Sequence, residues 1–317
     1  MKILVTGGAG TLGRNVVKDL LAHDFAVRVL DRNVEGLSGI EHSSLEIITG
    51  DIRDQAKVKE TLSGVEVVYH LAESFSPDPY EVLGTDIKGN LNMLIAASET
   101  GVRHFLFAST HRVYGRPRYL PIDEEHPLHP EESGRAIYAA AKIANEKMCL
   151  AYWKEHNLPV TIFRPWWSFS PNIRGQILRR MVDAALRGEI IRVPEHTGGN
   201  FVHNDDAALA FRMATLKTQA YGEAFNLTSG MFITWRELAD IVLELTNSSS
   251  KLEIISESQR AGDPLGGTDI SVYYECQLDI GKAKRLIGYQ PQHDTIKVRA
   301  LLRDTIERLV QARKKAI

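Results

Sequence analysis

Cysteine is scarce in this 317-residue chain, which has only Cys149 and Cys276, 127 positions apart. Two such residues make neither a disulfide framework nor a metal cluster, so a reducing cytoplasm and no bound metal are expected. Long apolar runs are also missing. No stretch approaches the roughly 20 residues of a membrane helix. No basic leader with an apolar core precedes the opening strand-like run Met1–Val5. Charge of one sign is lacking as well: 38 Lys and Arg against 40 Asp and Glu leave a net charge of −2. The basic runs are as short as Arg179-Arg180 and Lys314-Lys315, so no nucleic-acid partner is expected. What is present, 44% hydrophobic and 25% charged residues, suits a globular chain with a sizeable buried core.

Short β-branched runs alternate with helical patterns. Strands are expected at Lys2–Thr6, Ala26–Asp31, Leu45–Thr49, Val65–Leu71, Arg103–Ser109 and Val160–Arg164. Amphipathic helices are expected between them at Leu12–His23, Asp54–Leu62, Tyr80–Thr100 and Arg135–His156. Strands that are apolar throughout and alternate with helices indicate a parallel sheet covered on both faces, hence an α/β, Rossmann-type doubly wound fold. After about residue 165 Pro, Gly, Asn and Trp become frequent. Helices are expected there at Gly175–Arg187, Asp205–Leu216, Thr234–Thr246, Asp279–Ile287 and Thr295–Ala312, with short strands near Ala224–Leu227 and Leu252–Ile255. The expected division is a nucleotide-binding domain over 1–165 and a smaller, mainly substrate-binding region over 166–317, some of whose segments return to the first domain.

The first strand ends in Thr6-Gly7-Gly8-Ala9-Gly10-Thr11-Leu12-Gly13, and a helical pattern follows. Gly7, Gly10 and Gly13 let backbone approach a pyrophosphate and let the helix pack on the sheet. The helix start at Thr11 and Leu12 offers N–H groups and a positive dipole end. Asp31 ends the second strand, where a carboxylate accepts the adenosine ribose hydroxyls and repels a 2′-phosphate. NAD is therefore favoured over NADP, although Arg32 beside that ribose is able to tolerate a phosphate. Asp31 also reads as an ordinary turn opener.

Here the sequence resembles the extended short-chain dehydrogenase/reductases, specifically the NAD-dependent sugar epimerase/dehydratase family. The matching segments are the glycine loop, Gly50-Asp51-Ile52-Arg53-Asp54, His70-Leu71-Ala72, Ser109-Thr110-His111-Arg112-Val113-Tyr114-Gly115 and Tyr138-Ala139-Ala140-Ala141-Lys142. They continue with Arg164-Pro165, Phe201-Val202-His203-Asn204-Asp205-Asp206, Arg260-Ala261-Gly262-Asp263 and Asp279-x-x-Lys282-Ala283, in family order over nearly the whole chain. The resemblance implies that Asp51 and Ile52 lie at the adenine, that Leu71 and Ala72 line the cofactor groove, and that Thr110, Tyr138 and Lys142 are catalytic. It also implies a homodimer built on the helices at Tyr80–Thr100 and Arg135–His156.

The chemistry has its own logic. Tyr138 and Lys142 are four apart on a helical pattern and share a face. A tyrosine with its usual pKa near ~10 is a poor base. A neighbouring ammonium and a cationic nicotinamide should lower that value, so that Tyr138 takes a proton from a substrate hydroxyl as hydride leaves the same carbon. Thr110, at the end of a parallel strand, can hold the substrate oxygen.

Several positions depart from the family pattern. His111 and Arg112 stand where dehydratases carry an acidic pair, so sugar dehydration is not expected. Glu73 replaces a small residue and reads equally as a substrate contact or a turn cap. Asp86 replaces an asparagine. Thr197-Gly198-Gly199-Asn200 forms a shortened loop without the usual diphosphate-binding arginine, whereas Arg260 matches the other one. Trp166 and Trp167 replace a Phe-Asn pair and read as a stacking surface for substrate or as buried packing. His111, Trp166, Asn172 and Arg260 join Glu73 as candidate substrate contacts.

The leading expectation is an NAD-dependent epimerase of a nucleotide-activated sugar, acting at C4 through a transient keto intermediate. Net oxidation or reduction of a sugar, uronate or polyol is the alternative, since Ser109-Thr110-His111 is similar to uronate dehydrogenases. A non-catalytic NAD-sensing module is opposed by the intact Thr110, Tyr138 and Lys142.

Overall fold

The computed structural model describes residues 1–74, 76, 78–170, 176–256 and 274–315. Its first half runs β1 (Lys2–Thr6), α1 (Thr11–Ala22), β2 (Ala26–Asp31), β3 (Leu45–Thr49), α2 (Gln55–Thr61), β4 (Val67–His70), α3 (Pro79–Val82), α4 (Asn90–Glu99), β5 (His104–Ala108), α5 (Ala136–His156) and β6 (Val160–Pro165). The second half holds β7 (Ser168–Phe169), α6 (Gln176–Arg187), β8 (Ile191–Val193), β9 (Gly198–Asn200), β10 (Val202–His203) and α7 (Asn204–Ala214). It ends with β11 (Glu223–Leu227), β12 (Phe232–Thr234), α8 (Trp235–Thr246), β13 (Leu252–Ile254), α9 (Gly281–Ile287) and α10 (Thr295–Lys314).

Seven strands form one parallel sheet in the order β3-β2-β1-β4-β5-β6-β11. The chain winds outward from β1 to β3, then starts again on the other side at β4. The carboxyl ends of β1 and β4 therefore flank the crevice where open α/β sheets bind ligands. Alternation along the strands fills both faces. Ile3, Val5, Val67 and Tyr69 meet Val16, Leu20 and the α7 residues Ala207 and Phe211 on one side. Leu4, Val68 and Phe105 meet Val58, Met93, Leu94 and Cys149 on the other.

The segment beyond β6 does not stay apart from the sheet. β11 extends it and α7 packs on α1, while α6, α8 and α10 surround a second core around Met181, Leu238 and Leu302. Of the short pairs β7–β10, β8–β13 and β9–β12, the sequence reading contains only β13, expected near Leu252–Ile255. With two or three residues each, the other strands are too brief to display a period of two.

The expected helix over Tyr80–Thr100 is continuous but changes gauge. Leu83–Gly89 is wound as a π-helix between α3 and α4, a form that recurs at functional sites. It carries Asp86, 2% exposed, toward the sheet. Among the described residues no helix is long and apolar enough to cross a membrane.

Candidate active site

The glycine loop leaves β1 at Gly7, whose φ of +69° suits a residue without a Cβ. A Cβ there would press on the backbone of Leu71 and Ala72, and one on Gly13 would overlap the Gly7 carbonyl. The Gly10 N–H donates to the Gly7 carbonyl at 3.0 Å, closing the turn. No side chain caps α1, so the N–H groups at Thr11, Leu12 and Gly13 face the crevice with the positive end of the helix dipole. Leu71 and Ala72 are fixed opposite them: their N–H groups donate to the Thr6 carbonyl at 3.2 Å and to Thr6 Oγ1 at 3.3 Å.

At the end of β2, Asp31 accepts the Ala9 N–H at 3.0 Å and the Asn33 N–H at 3.3 Å. It therefore braces the glycine loop and opens a turn. Arg32 is half exposed, with its guanidinium 4.0 Å from Asp51. Asp51 is gripped by Arg53, whose Nη2 lies 2.7 Å away, and Ile52 is buried against Gly89. A loop without room for side chains, an uncapped helix start and a carboxylate at the tip of β2 fit a dinucleotide.

Across the switch point, three elements meet around one carboxylate. The Tyr138 hydroxyl on α5 donates to Glu73 Oε2 at 2.7 Å. Lys142, one turn on and 1% exposed, places Nζ 3.0 Å from the same oxygen and donates to the Ala108 carbonyl at 3.0 Å. Asp86 reaches in from the π-helical segment and accepts the Ser74 N–H at 3.2 Å. Its carboxyl is pushed up to about 6 by burial, an effect opposed by Lys142 and reinforced by Glu73. Arg135 stacks over the Tyr138 ring at 4.8 Å. His70 hydrogen-bonds Thr6 Oγ1 at 2.7 Å, and burial, then Lys142, hold it neutral with a value of about 3.

One expectation is corrected here. Lys142 was to lower the Tyr138 pKa, but burial and then the Glu73 carboxylate push that phenol well above its usual range. The ammonium is spent on Glu73 instead, a pairing the Tyr-x-x-x-Lys spacing gives no sign of.

Thr110 follows β5 in extended conformation, and its Oγ1 accepts the Arg112 N–H at 3.3 Å, capping the turn His111–Tyr114. The neighbouring Ser109 donates to buried Glu146 at 2.5 Å. Glu146 in turn takes two hydrogen bonds from Arg164, at 3.0 and 2.7 Å, and Arg164 reaches the Tyr114 hydroxyl at 3.0 Å. Glu146 escapes the sequence reading, although Tyr138, Lys142 and Glu146 recur every fourth residue on one face of α5. That spacing was the available signal.

Of the remaining candidates, His111 is buried, with Nδ1 3.4 Å from the Pro165 carbonyl and its ring 5.7 Å from Trp166. Trp166 is 4% exposed and packed among Trp167, Phe201 and Trp235, with Gly199 against its ring. Its place matches packing, not a stacking surface. Asn172 and Arg260 lie outside the described residues. His203, Asp205 and His293 bring ligand-type atoms within 4.8 Å of one another. However, His203 caps α7 through Nδ1, and His293 Nδ1 lies 2.9 Å from buried Asp206. The dipole at that helix start disfavours a cation.

Residues 3–228 match the model of the NAD dependent epimerase/dehydratase family. UDP-glucuronic acid decarboxylase 1 of Xenopus tropicalis is 30% identical over 306 residues, 92% of this chain and 68% of that one. The structure of UDP-glucose 4-epimerase from Thermotoga maritima, with UDP-glucose, superposes with a TM-score of 0.77 at 26% identity, covering 100% of this chain and 99% of the other. A dTDP-glucose 4,6-dehydratase from Streptomyces venezuelae, crystallised with NAD, gives 0.81 at 26% identity over 99% and 98% of the two chains. The chain, an enzyme with NAD as its cofactor, belongs to the NAD dependent epimerase/dehydratase family.

Proposed function

We propose that this enzyme is an epimerase of a nucleotide-activated sugar, acting at C4 through a keto intermediate. The observation that carries this reading is the convergence of Tyr138 and Lys142, from one face of α5, on the carboxyl edge of β4 and β5 beside the glycine loop. Bound NAD supplies the hydride acceptor and returns the hydride. Tyr138 Oη moves the proton of the substrate hydroxyl, Thr110 orients that oxygen, and Lys142, anchored on the Ala108 carbonyl, fixes the charge beside them. The family resemblance assigns the diphosphate to Arg260 and sugar contacts to His111 and Asn172, of which only His111 lies among the described residues. The epimerase and the decarboxylase named above support a nucleotide sugar as the substrate class.

A second reading, net oxidation of a uronate or other sugar lacking a diphosphate, has one feature in its favour. The segment Gly198–Asn200 is taken up as β9, paired with β12, and carries no arginine. Incubation with candidate nucleotide sugars without added NAD, followed by NMR, decides between them. Interconverting epimers without NADH absorbance support the epimerase; stoichiometric NADH with an oxidised product supports the alternative.

We also place the enzyme in the cytoplasm as a homodimer joined along α4 and α5. Leu91 of α4 and Ile137 of α5 are exposed apolar residues, and both cysteines are buried and unbridged.

A further inference from the structure

Glu73 has no role in the proton transfer outlined above, yet it touches both groups that carry it. Its Oε2 accepts the Tyr138 hydroxyl at 2.7 Å and lies 3.0 Å from Lys142 Nζ. Ionising Tyr138 in this setting would put a phenolate within hydrogen-bond distance of a carboxylate inside a buried site, where like charges repel strongly. Passing the phenolic proton to Glu73 avoids that pair of anions.

We propose that Glu73 is the proton acceptor behind Tyr138, so that tyrosine relays a proton and never stores a negative charge. The proposal rests on the reading of Tyr138 as the proton-transfer group. In the oxidation half-reaction the substrate O–H bond breaks and a new Tyr138 O–H bond forms. The original Tyr138 O–H bond breaks and a Glu73 Oε2–H bond forms. The C–H electron pair leaves as hydride to NAD, and the carbon becomes a carbonyl. Reversal on the other face of the sugar returns the proton from Glu73 through Tyr138. Lys142 keeps its 3.0 Å contact with Glu73 Oε2 and its hydrogen bond to the Ala108 carbonyl, and so holds the carboxyl in place before and after the transfer.

The surroundings support this division of labour. Tyr138 and Lys142 contact the carboxylate from α5, and Asp86 in the π-helical segment feels its charge; Arg135 lies over the Tyr138 ring, and neutral His70 of β4 is influenced by Lys142. Two carboxyl groups, Glu73 and Asp86, thus share the neighbourhood of one buried ammonium. The direction of the Tyr138 shift, set by burial and then by Glu73, is the one expected of a phenol that keeps its proton.

The test uses Glu73→Gln, which keeps size and polarity, and Glu73→Asp as the conservative control. Two readouts are needed. Phenolate absorbance is titrated without substrate, with Tyr138→Phe variants subtracted to isolate Tyr138. Single-turnover reduction of bound NAD by a reactive nucleotide sugar is then followed from pH 6 to pH 10. In the Glu73→Gln protein the Tyr138 phenolate should appear at lower pH than in the parent. Single turnover at neutral pH should fall about 10²-fold, the scale of a proton-transfer group, and recover as pH rises, with Glu73→Asp intermediate. An unmoved phenolate titration, an unchanged pH profile, or faster turnover by Glu73→Gln at neutral pH would each overturn the relay. Failure of the underlying reading looks different: Tyr138→Phe would then turn over like the parent, whatever Glu73 does.

Discussion

The nucleotide corner and the proton-transfer corner sit on the same sheet edge but are held by different physics. At the first, backbone does the positioning: Gly7 and Gly13 leave no room for side chains, α1 presents its N–H groups, and Asp31 ties the loop down. At the second, charge does. Lys142, Glu73, Asp86 and the Tyr138 phenol, drawn from a loop, a π-helical segment and α5, meet in one cluster, where burial and the Glu73 carboxylate raise the values of Asp86 and Tyr138. A backbone site tolerates little substitution and depends weakly on pH. A charge-built site accepts isosteres but responds to pH.

The largest expected effect tests the second corner directly. Tyr138→Phe should lose roughly 10²–10⁴ in turnover while NAD affinity stays within a few-fold, measured by stopped-flow and calorimetry side by side. Equal losses in both would mean that the two corners are not separable.

Next in size is the buried pair beneath that corner. Arg164 and Glu146 are 7% and 2% exposed and 2.7 Å apart. Arg164→Met leaves Glu146 charged, buried and reliant on Ser109 alone among its hydrogen bonds named above. It should cost about 3–5 kcal/mol in urea unfolding. Adding Glu146→Leu should restore much of that loss, since the unpaired charge and not the missing bond dominates. A single variant as stable as the parent would show that water reaches this network.

Asp86 gives a smaller effect whose sign depends on pH. Its carboxyl titrates at about 6 in the fold against 3.8 ordinarily, so the folded state binds this proton more tightly than the unfolded chain. The stabilisation from protonation is full below the unfolded value and is lost as pH rises to about 6. Asp86→Asn should therefore be close to neutral in acid and stabilising above pH 7, on the order of 3 kcal/mol. The check is the melting temperature of both proteins across that range. A difference that grows toward acid would reverse the assignment.

These two corners were unequally legible in the sequence. Strand and helix positions, the sheet type and the glycine loop follow from periods of two and 3.6 and from spacing, which are local properties. The four-residue spacing of Tyr138 and Lys142 shows that they share a helix face, but their proposed role was visible only through the family resemblance. The charge state of Tyr138 was not legible. It depends on Glu73, 65 positions away and brought in by the β4 crossover, and on a burial that no window of sequence displays. The π-helical winding that turns Asp86 inward is invisible for a similar reason, because a helical periodicity does not mark one extra residue in a turn.

The smallest effect belongs to Asp31, and it asks whether the nucleotide corner contains any electrostatics at all. Its carboxylate braces Ala9 through a 3.0 Å hydrogen bond, and it stands where the adenosine ribose is expected. Asp31→Ala removes brace and charge together, so a loss of NAD affinity in that variant alone says nothing about selectivity. Asp31→Asn separates the two, because the amide oxygen can still accept the Ala9 N–H while the charge that repels a 2′-phosphate is gone. With the brace kept, NAD affinity should stay within a few-fold and NADP affinity should rise about tenfold, roughly the 1.4 kcal/mol of one modest electrostatic contact. Arg32 then becomes available to the added phosphate, and a further Arg32→Ala change should take back most of the NADP gain. Calorimetric titration of both dinucleotides against the three proteins measures this. If NADP binding is unmoved by Asp31→Asn, the carboxylate serves the loop and not the ribose, and the nucleotide corner is a backbone site throughout.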